Sequence, residues 1–152
     1  MLNYYSHWKM NITRYNYKKA LPLIVQTMRQ SDFLAFDFEF SGLKFHPDLA
    51  NHQTDTMALR YWKNRENVRR FMPTQMGICG FKYLESEERL ECYPFNFYVL
   101  PYSLENSLPQ LEKTFSVSIG SFNFLAKNNF DFNKLFYESV GYMSQADHLL
   151  YQ

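Results

Sequence analysis

Cysteine is scarce: the 152 residues hold two, Cys79 and Cys92. Two thiols cannot staple a disulfide scaffold, and their spacing lacks the pairs that hold zinc. They read as buried small hydrophobes in an intracellular, reducing compartment, nucleus or cytoplasm. Long apolar runs are missing too. None approaches the roughly 20 residues that span a bilayer, so no membrane is expected among the partners. The N-terminal MLNYYSHWKMNITRYNYKK has no apolar segment of the secretory kind. No internal repeat, low-complexity tract or interdomain linker breaks the chain. A charge excess of one sign is also absent, the net charge being +1. With 46% hydrophobic and 20% charged residues, wholesale disorder is excluded. What is abundant is the aromatic ring: 15 Phe and 12 Tyr need a core or a stacking surface. The length suits one domain.

The near-zero net charge hides an asymmetry. Residues 1–83 carry 12 Lys+Arg against 6 Asp+Glu; residues 84–152 carry 4 against 9. The densest basic stretch is RYWKNRENVRRF, 60–71. Arg60, Lys63, Arg65, Arg69 and Arg70 are candidates for an RNA backbone, with Tyr61, Trp62 and Phe71 between them as stacking rings. The competing reading is a solvated helix face whose aromatics dock on the core.

The periodicity predicts a helix over 16–31 with Leu21, Ile24, Val25 and Met28 as its apolar stripe, regular from about Pro22. Strands are expected at 33–40, 75–83 and 94–101, the last two joined as a hairpin by the exposed acidic turn ESEERLE, 85–91. Residues 44–73 are polar and uneven, a long insert that is helical in part. Further on, Ser121 is expected to cap one helix, Asp131 a second one reaching Val140, and Ser144 with Asp147 a third.

The first strand, Phe33-Leu-Ala-Phe-Asp-Phe-Glu-Phe40, carries the chemistry. Alternation puts Phe33, Ala35, Asp37 and Glu39 on one face and Leu34, Phe36, Phe38 and Phe40 on the other. The second face is expected in the core, on a strand too apolar for a solvated edge. Two buried carboxylates side by side require a cation, either a hard divalent ion or a paired Arg or Lys. The structural alternative places them at the wet end of the strand. Two metal ions held about 3.5–4 Å apart would permit phosphoryl transfer.

The string Phe36-Asp-Phe-Glu-Phe-Ser-Gly-Leu43 resembles the first acidic motif of the poly(A)-specific ribonuclease family, part of the DEDD superfamily of 3′-to-5′ exonucleases. The similarity continues at QMGICGFKY (75–83), FNFYVLP (95–101), SFNFLAKNNFDFNKLF (121–136) and GYM (141–143), and MNIT (10–13) looks like the family's start. The resemblance implies a ribonuclease H-like α/β fold, a mixed sheet flanked by helices, of which this chain is the first half. Residues 1–9 would be an extension and 10–152 a partial nuclease domain. It implies Mg2+ as cofactor, with Asp37 and Glu39 as catalytic residues and the first two metal ligands. Phe40 and Leu43 would line the terminal-nucleotide pocket. Ser121, Phe122 and Phe124 would approach the substrate, although helix packing explains the two rings equally and capping explains the serine.

The family's later acidic ligands and its histidine have no counterpart in the chain. Asp131 reads as a cap, His148 as a surface residue, and His46, His52, Asp48 and Asp55 as solvated loop groups. The expected partner is RNA with a free 3′ end, poly(A) favoured, and the expected activity of the isolated chain is weak or nil, as for a fragment. The alternatives are a non-catalytic binding module whose sheet is completed by a second copy or another chain, and a small RNA-binding domain resting on the basic stretch alone.

Overall fold

The computed structural model describes residues 3–6, 10–102 and 113–150. The order is β1 (Asn3–Ser6), β2 (Met10–Ile12), α1 (Tyr17–Gln30), β3 (Phe33–Phe40), α2 (Met57–Val68), β4 (Pro73–Leu84), β5 (Arg89–Pro101), α3 (Ile119–Lys127), α4 (Phe132–Glu138), β6 (Val140–Tyr142) and α5 (Gln145–Leu150). It is a mixed α/β fold, as expected.

β5 is the spine. β4 runs antiparallel along one side of it, and β3 antiparallel along β4. The other side of β5 is covered in succession by three short parallel strands: β1 at Arg89–Cys92, β2 at Phe95–Phe97 and β6 at Val99–Pro101. The expected hairpin forms between β4 and β5 through a tight 3-10 turn at Glu85–Glu87. Glu88 closes that turn in the left-handed conformation. The Ser144–Asp147 box also forms: the Asp147 amide donates to Ser144 Oγ at 3.1 Å, and the Ser144 hydroxyl donates to the carboxylate at 2.7 Å.

α1 packs on one face of the sheet. Ala20 and Ile24 meet Ile12, Phe95, Phe97 and Val99, with Met28, Met76 and Ile78 around them. The buried stripe is therefore Ala20, Ile24 and Thr27, one step round the helix from the expected one, and Leu21 and Val25 face solvent. The helix also starts earlier than Pro22 suggests. Tyr17 and Ala20 already make helical amide bonds to Thr13 and Asn16, so Pro22 falls in the second turn and gives up only its own amide bond.

Two further expectations fail. β3 is an edge strand among the described residues. Leu34, Phe36 and Phe38 do point to the α1 face, being paired with Gly80, Ile78 and Met76. But α1 lies over β4 and β5, so Phe36 remains 73% exposed. The alternation was right and the burial was not. Likewise α4 stops at Glu138, and Val140 leaves it to pair with β5.

The opposite face receives α3 and α4. Leu125 and Leu135 are buried there, and Phe130 packs on Tyr98 of β5 with ring centroids 5.4 Å apart. This pair covers the Tyr98 end of the face and leaves the part beside Asp37 open. Cys92 is fully buried and Cys79 half-buried; both are free thiols. Burial raises the Cys79 thiol above its usual range.

Candidate active site

Asp37 and Glu39 stand on the face opposite α1. Their partners on β4 are Gly77 and Gln75, and beyond these on β5 lie Asn96 and Tyr98. Asp37 is exposed and Glu39 half-buried, so the pair is not the buried one expected; an edge strand leaves one flank of each open to water. Among the described residues no ion pair involves Asp37.

The floor beside Asp37 is kept open by Gly77. A Cβ there would meet nothing nearer than the Asp37 carbonyl oxygen at 4.0 Å. The resulting hollow of about 340 Å³ is bounded by Asp37, Glu39, Gln75, Gly77 and Asn96. Asn96 is held by its amide, which donates to Asn11 Oδ1 at 2.9 Å.

The register shifts between Glu39 and Phe40, where Thr74 is an extra residue on β4. Thr74 is fully buried and its hydroxyl donates to the Glu39 carbonyl at 3.0 Å. Ser41 follows, also fully buried. Its hydroxyl donates to the Ser116 carbonyl at 2.8 Å and accepts from the Met72 amide at 3.1 Å. Its own carbonyl accepts from the Ser118 amide at 2.8 Å. The end of the carboxylate strand is thus fastened to the segment that starts α3. Gly42 lies against the Phe71 ring, leaving no room for a side chain.

This fastening brings the expected residues together. Glu39, Phe40, Leu43, Ser121 and Phe124 border one hollow of about 310 Å³, with Phe38 and Leu125. Phe122 is not among them; it packs on Phe132 with centroids 4.8 Å apart. Nor is Ser121 the cap. Ser118 caps α3 and Ser121 is its third residue, which turns it toward the hollow. Asp131 is a cap as expected, with its carboxylate accepting from the Lys134 amide at 3.0 Å. That bond and the Lys134 ammonium hold the Asp131 carboxyl below its usual range.

The basic stretch divides. Residues 60–68 lie in α2, which Thr56 caps, and Arg69 stands at the C-terminal cap with Arg70 and Phe71 beyond it. Lys63 is 7% exposed. Its ammonium pairs with Asp55 at 2.8 Å and donates to the Ala50 carbonyl at 2.9 Å, so it is removed from the candidates for RNA. This reverses the expectation for both residues: Asp55 is not a solvated loop group but the partner that lets Lys63 be buried. Arg60 holds the carbonyls of His52 and Gln53, Arg69 pairs with Glu66 at 3.0 Å, and Arg70 lies over the Phe45 ring at 4.3 Å. Arg65 is exposed, as are Tyr61 and Trp62, whereas Phe71 is buried.

The donor set tests the metal. Magnesium is held by one or two carboxylates with water and phosphate oxygens completing the shell. Asp37 and Glu39, on one face over an open floor, fit that role as a partial set. Among the described residues no group of three or more His, Cys, Asp or Glu side chains could hold a metal ion. Nor is any helix among them long and apolar enough to cross a membrane.

Sequence reading missed Ser41, Thr74 and Ser118, whose roles depend on partners 30 or more residues away or on a cap three residues earlier than expected. Gly77 carried a signal, since an isolated glycine inside a strand marks space on one face.

Residues 12–151 match the CAF1 family ribonuclease, and the chain belongs to that family. It is 36% identical over 140 residues to the poly(A)-specific ribonuclease PARN of Xenopus laevis, covering 91% of this chain and 22% of that one. The human PARN gives 35%, with the same coverage. The pre-piRNA 3′-exonuclease trimmer of Bombyx mori is 32% identical over 145 residues, 93% of this chain and 26% of that one. The chain therefore spans about a fifth to a quarter of the length of these relatives. In fold it is similar to the S. pombe Pop2p structure with Mg2+ and Mn2+ bound: TM-score 0.61, 17% identity, 87% of this chain and 48% of that one. The RNase domain of yeast Pop2 gives 0.57, with 15% identity, over 88% and 43%. The fold is thus ribonuclease H-like, and the described chain matches about half of those domains.

Proposed function

We propose that this chain carries the 3′-end-binding half of a 3′-to-5′ exoribonuclease acting on poly(A) or another RNA 3′ end. One observation carries the reading: Glu39, beside Asp37 on β3, borders the same hollow as Phe40, Leu43, Ser121 and Phe124. A nuclease that removes terminal nucleotides needs oxygen donors next to a pocket for the last base, and this arrangement supplies both. Its family membership and the names of its relatives support the same chemistry.

In this reading Asp37 and Glu39 offer carboxylate oxygens to divalent metal, with magnesium as the ion. Such ions supply charge stabilisation for the attacking and leaving oxygens of phosphoryl transfer. Phe40, Leu43 and Phe124 hold the terminal base and exclude water around it. The Ser121 hydroxyl is placed to hydrogen-bond the substrate. Arg65, and the exposed parts of Arg60, Arg69 and Arg70, face the phosphates of the strand leading to the site. The compartment is intracellular, nuclear or cytoplasmic, in keeping with two free thiols.

A second reading has its own observation. With no third acidic or histidine ligand among the described residues, the chain alone holds metal loosely, and a second copy or another chain would complete the set. Short of that partner it is a non-catalytic RNA-binding module. The experiment is trimming of a 3′-extended, 5′-labelled oligo(A) by the 152-residue chain in magnesium and in EDTA, beside Asp37→Ala. A metal-dependent ladder that Asp37→Ala abolishes supports the nuclease. Binding that depends on a free 3′ hydroxyl, without a ladder, supports the module. Indifference to both metal and 3′ hydroxyl refutes both.

A further inference from the structure

α2 is built inside out. Its buried residues are Lys63 and Asn67, four apart and so on one face. Polar bonds hold that face down. Besides the Lys63 bonds above, Asn67 donates Nδ2 to the Leu49 carbonyl at 3.2 Å, and its Oδ1 accepts from the Phe45 amide at 2.9 Å. At about 3.6 residues per turn, the opposite side centres on Arg65, with Tyr61 and Trp62 one turn before it and Val68 just after. Tyr61 is 71% exposed, and Trp62 and Val68 stand out in water too. A surface helix ordinarily does the reverse and turns its apolar stripe inward. Glu66, the one carboxylate on α2, is taken by Arg69, and Arg65 has no carboxylate partner among the described residues.

The chemistry of that outer face selects its occupant. A helix lying on a membrane keeps its cations on the flank and buries an uncharged stripe. Here the guanidinium sits at the centre of the ring patch, where a lipid surface would have to bury it. Single-stranded RNA alternates the two things this face offers to meet: bases that stack on any ring, and phosphates that take a cation.

Position agrees. The C-terminal end of α2 abuts both walls of the hollow bordered by Phe40, Leu43, Ser121 and Phe124. Phe71 packs on Gly42, next to Leu43, and the Arg70 carbonyl accepts from the Ser116 amide at 2.7 Å, in the segment that starts α3. From there the 12 residues of α2 reach back about 18 Å.

We propose that the outer face of α2 is a stacking shelf for single-stranded RNA on the 5′ side of the nucleotides held at the hollow. Tyr61 and Trp62 stack on bases there, and Arg65 neutralises a phosphate between them. The shelf rests on the 3′-exoribonuclease reading above and deepens it: the chain grips a long 3′ tail more tightly than a short one, whatever the upstream bases are.

The test is competition of unlabelled oligoribonucleotides against one fluorescent probe, read by anisotropy with the 152-residue chain. The competitors share one 3′ sequence and differ in length, the short one filling only the hollow and the long one reaching the length of α2. Each stacked base contributes roughly tenfold, so the long competitor should bind at least about tenfold tighter. Tyr61→Ala with Trp62→Ala should remove most of that gain and leave the affinity of the short one unchanged. Both side chains stand outside, so this variant should melt within a few degrees of the parent. Tyr61→Phe keeps the ring and should keep the gain. Equal affinity of the parent for the two lengths overturns the shelf, as does a gain that survives the double variant. Equal losses for the short and the long competitor also overturn it, because the rings would then serve the terminal site. Capture of the parent but not the double variant by phosphatidylserine–phosphatidylcholine vesicles, with no length gain in RNA, gives the face to a lipid surface instead. A 3′ phosphate that costs the short competitor nothing overturns the 3′-end reading, and the shelf falls with it; loss of the length gain alone leaves that reading standing.

Discussion

Replacing Ser41 by alanine isolates the fastening between the carboxylate strand and α3. The side chain is fully buried, so its hydroxyl has no access to water. Removing it leaves the Met72 amide without its 3.1 Å acceptor and the Ser116 carbonyl without its 2.8 Å donor. The two main-chain bonds survive, from the Ser41 amide to Met72 and from the Ser118 amide to Ser41. The loss is therefore that of one hydroxyl making two bonds, plus the penalty of buried groups left unpaired, about 2–3 kcal/mol in all. For a chain of this length each kcal/mol moves the midpoint by roughly 2–4 °C, so Ser41→Ala should melt about 4–12 °C lower. Urea unfolding followed by far-UV circular dichroism gives the free energy directly. Ser41→Ala should also weaken oligo(A) binding beyond its stability cost, because Ser121 and Phe124 lose their fixed distance from Glu39 and Phe40. A loss below about 0.5 kcal/mol would show that the fastening does not hold the strand to α3.

Three other expectations follow from single contacts. Gly42→Ala places a Cβ at 2.2 Å from the Phe71 ring, which must retreat to about 3.4 Å for ordinary contact; the variant should lose about 1–3 kcal/mol in chemical denaturation, and Phe71→Leu in the same chain should restore much of it. The Asp55 carboxyl is held below its usual range, first by its hydrogen bond from Lys63. Its contribution to stability is therefore present above the unfolded-state value near 3.8 and lost as pH falls through the lower folded value, so Asp55→Asn should flatten the acid limb of a melting-temperature profile below that point. Arg65→Gln should reduce the salt slope of RNA binding by about one, whereas Lys63→Gln should leave the slope alone and lower the melting temperature; the opposite pattern would show that the helix faces the nucleic acid the other way round.

Much of this molecule could be read from residues close together in the chain. The alternation of β3 set both faces, the acidic turn set the β4–β5 hairpin, and Asp131 was a cap because an amide three residues on needed an acceptor. What failed was whatever depended on distant neighbours. Nothing in Leu34-Ala-Phe36 says that α1 will lie over β4 and β5 and stop short of it. The burial of Lys63 needed Asp55 and the Ala50 carbonyl, brought up by a loop with no periodicity. Phe122 and Phe124 look alike in sequence, two residues apart on one helix, yet one packs on Phe132 and the other walls the hollow. The site was legible as chemistry, two carboxylates on one face, but its shape came from Gly77, Thr74 and Ser41.

The uncovered rim of β3 has a practical consequence. Its backbone edge is open among the described residues, and Leu34, Phe36 and Phe38 beside it are oily. Such a strand is an adhesive: it will take up whatever extended peptide it meets first. Handling the chain is thus a matter of slowing the stacking of one molecule on the next. Dilution and a soluble peptide that lays down a matching strand should both extend its lifetime in solution.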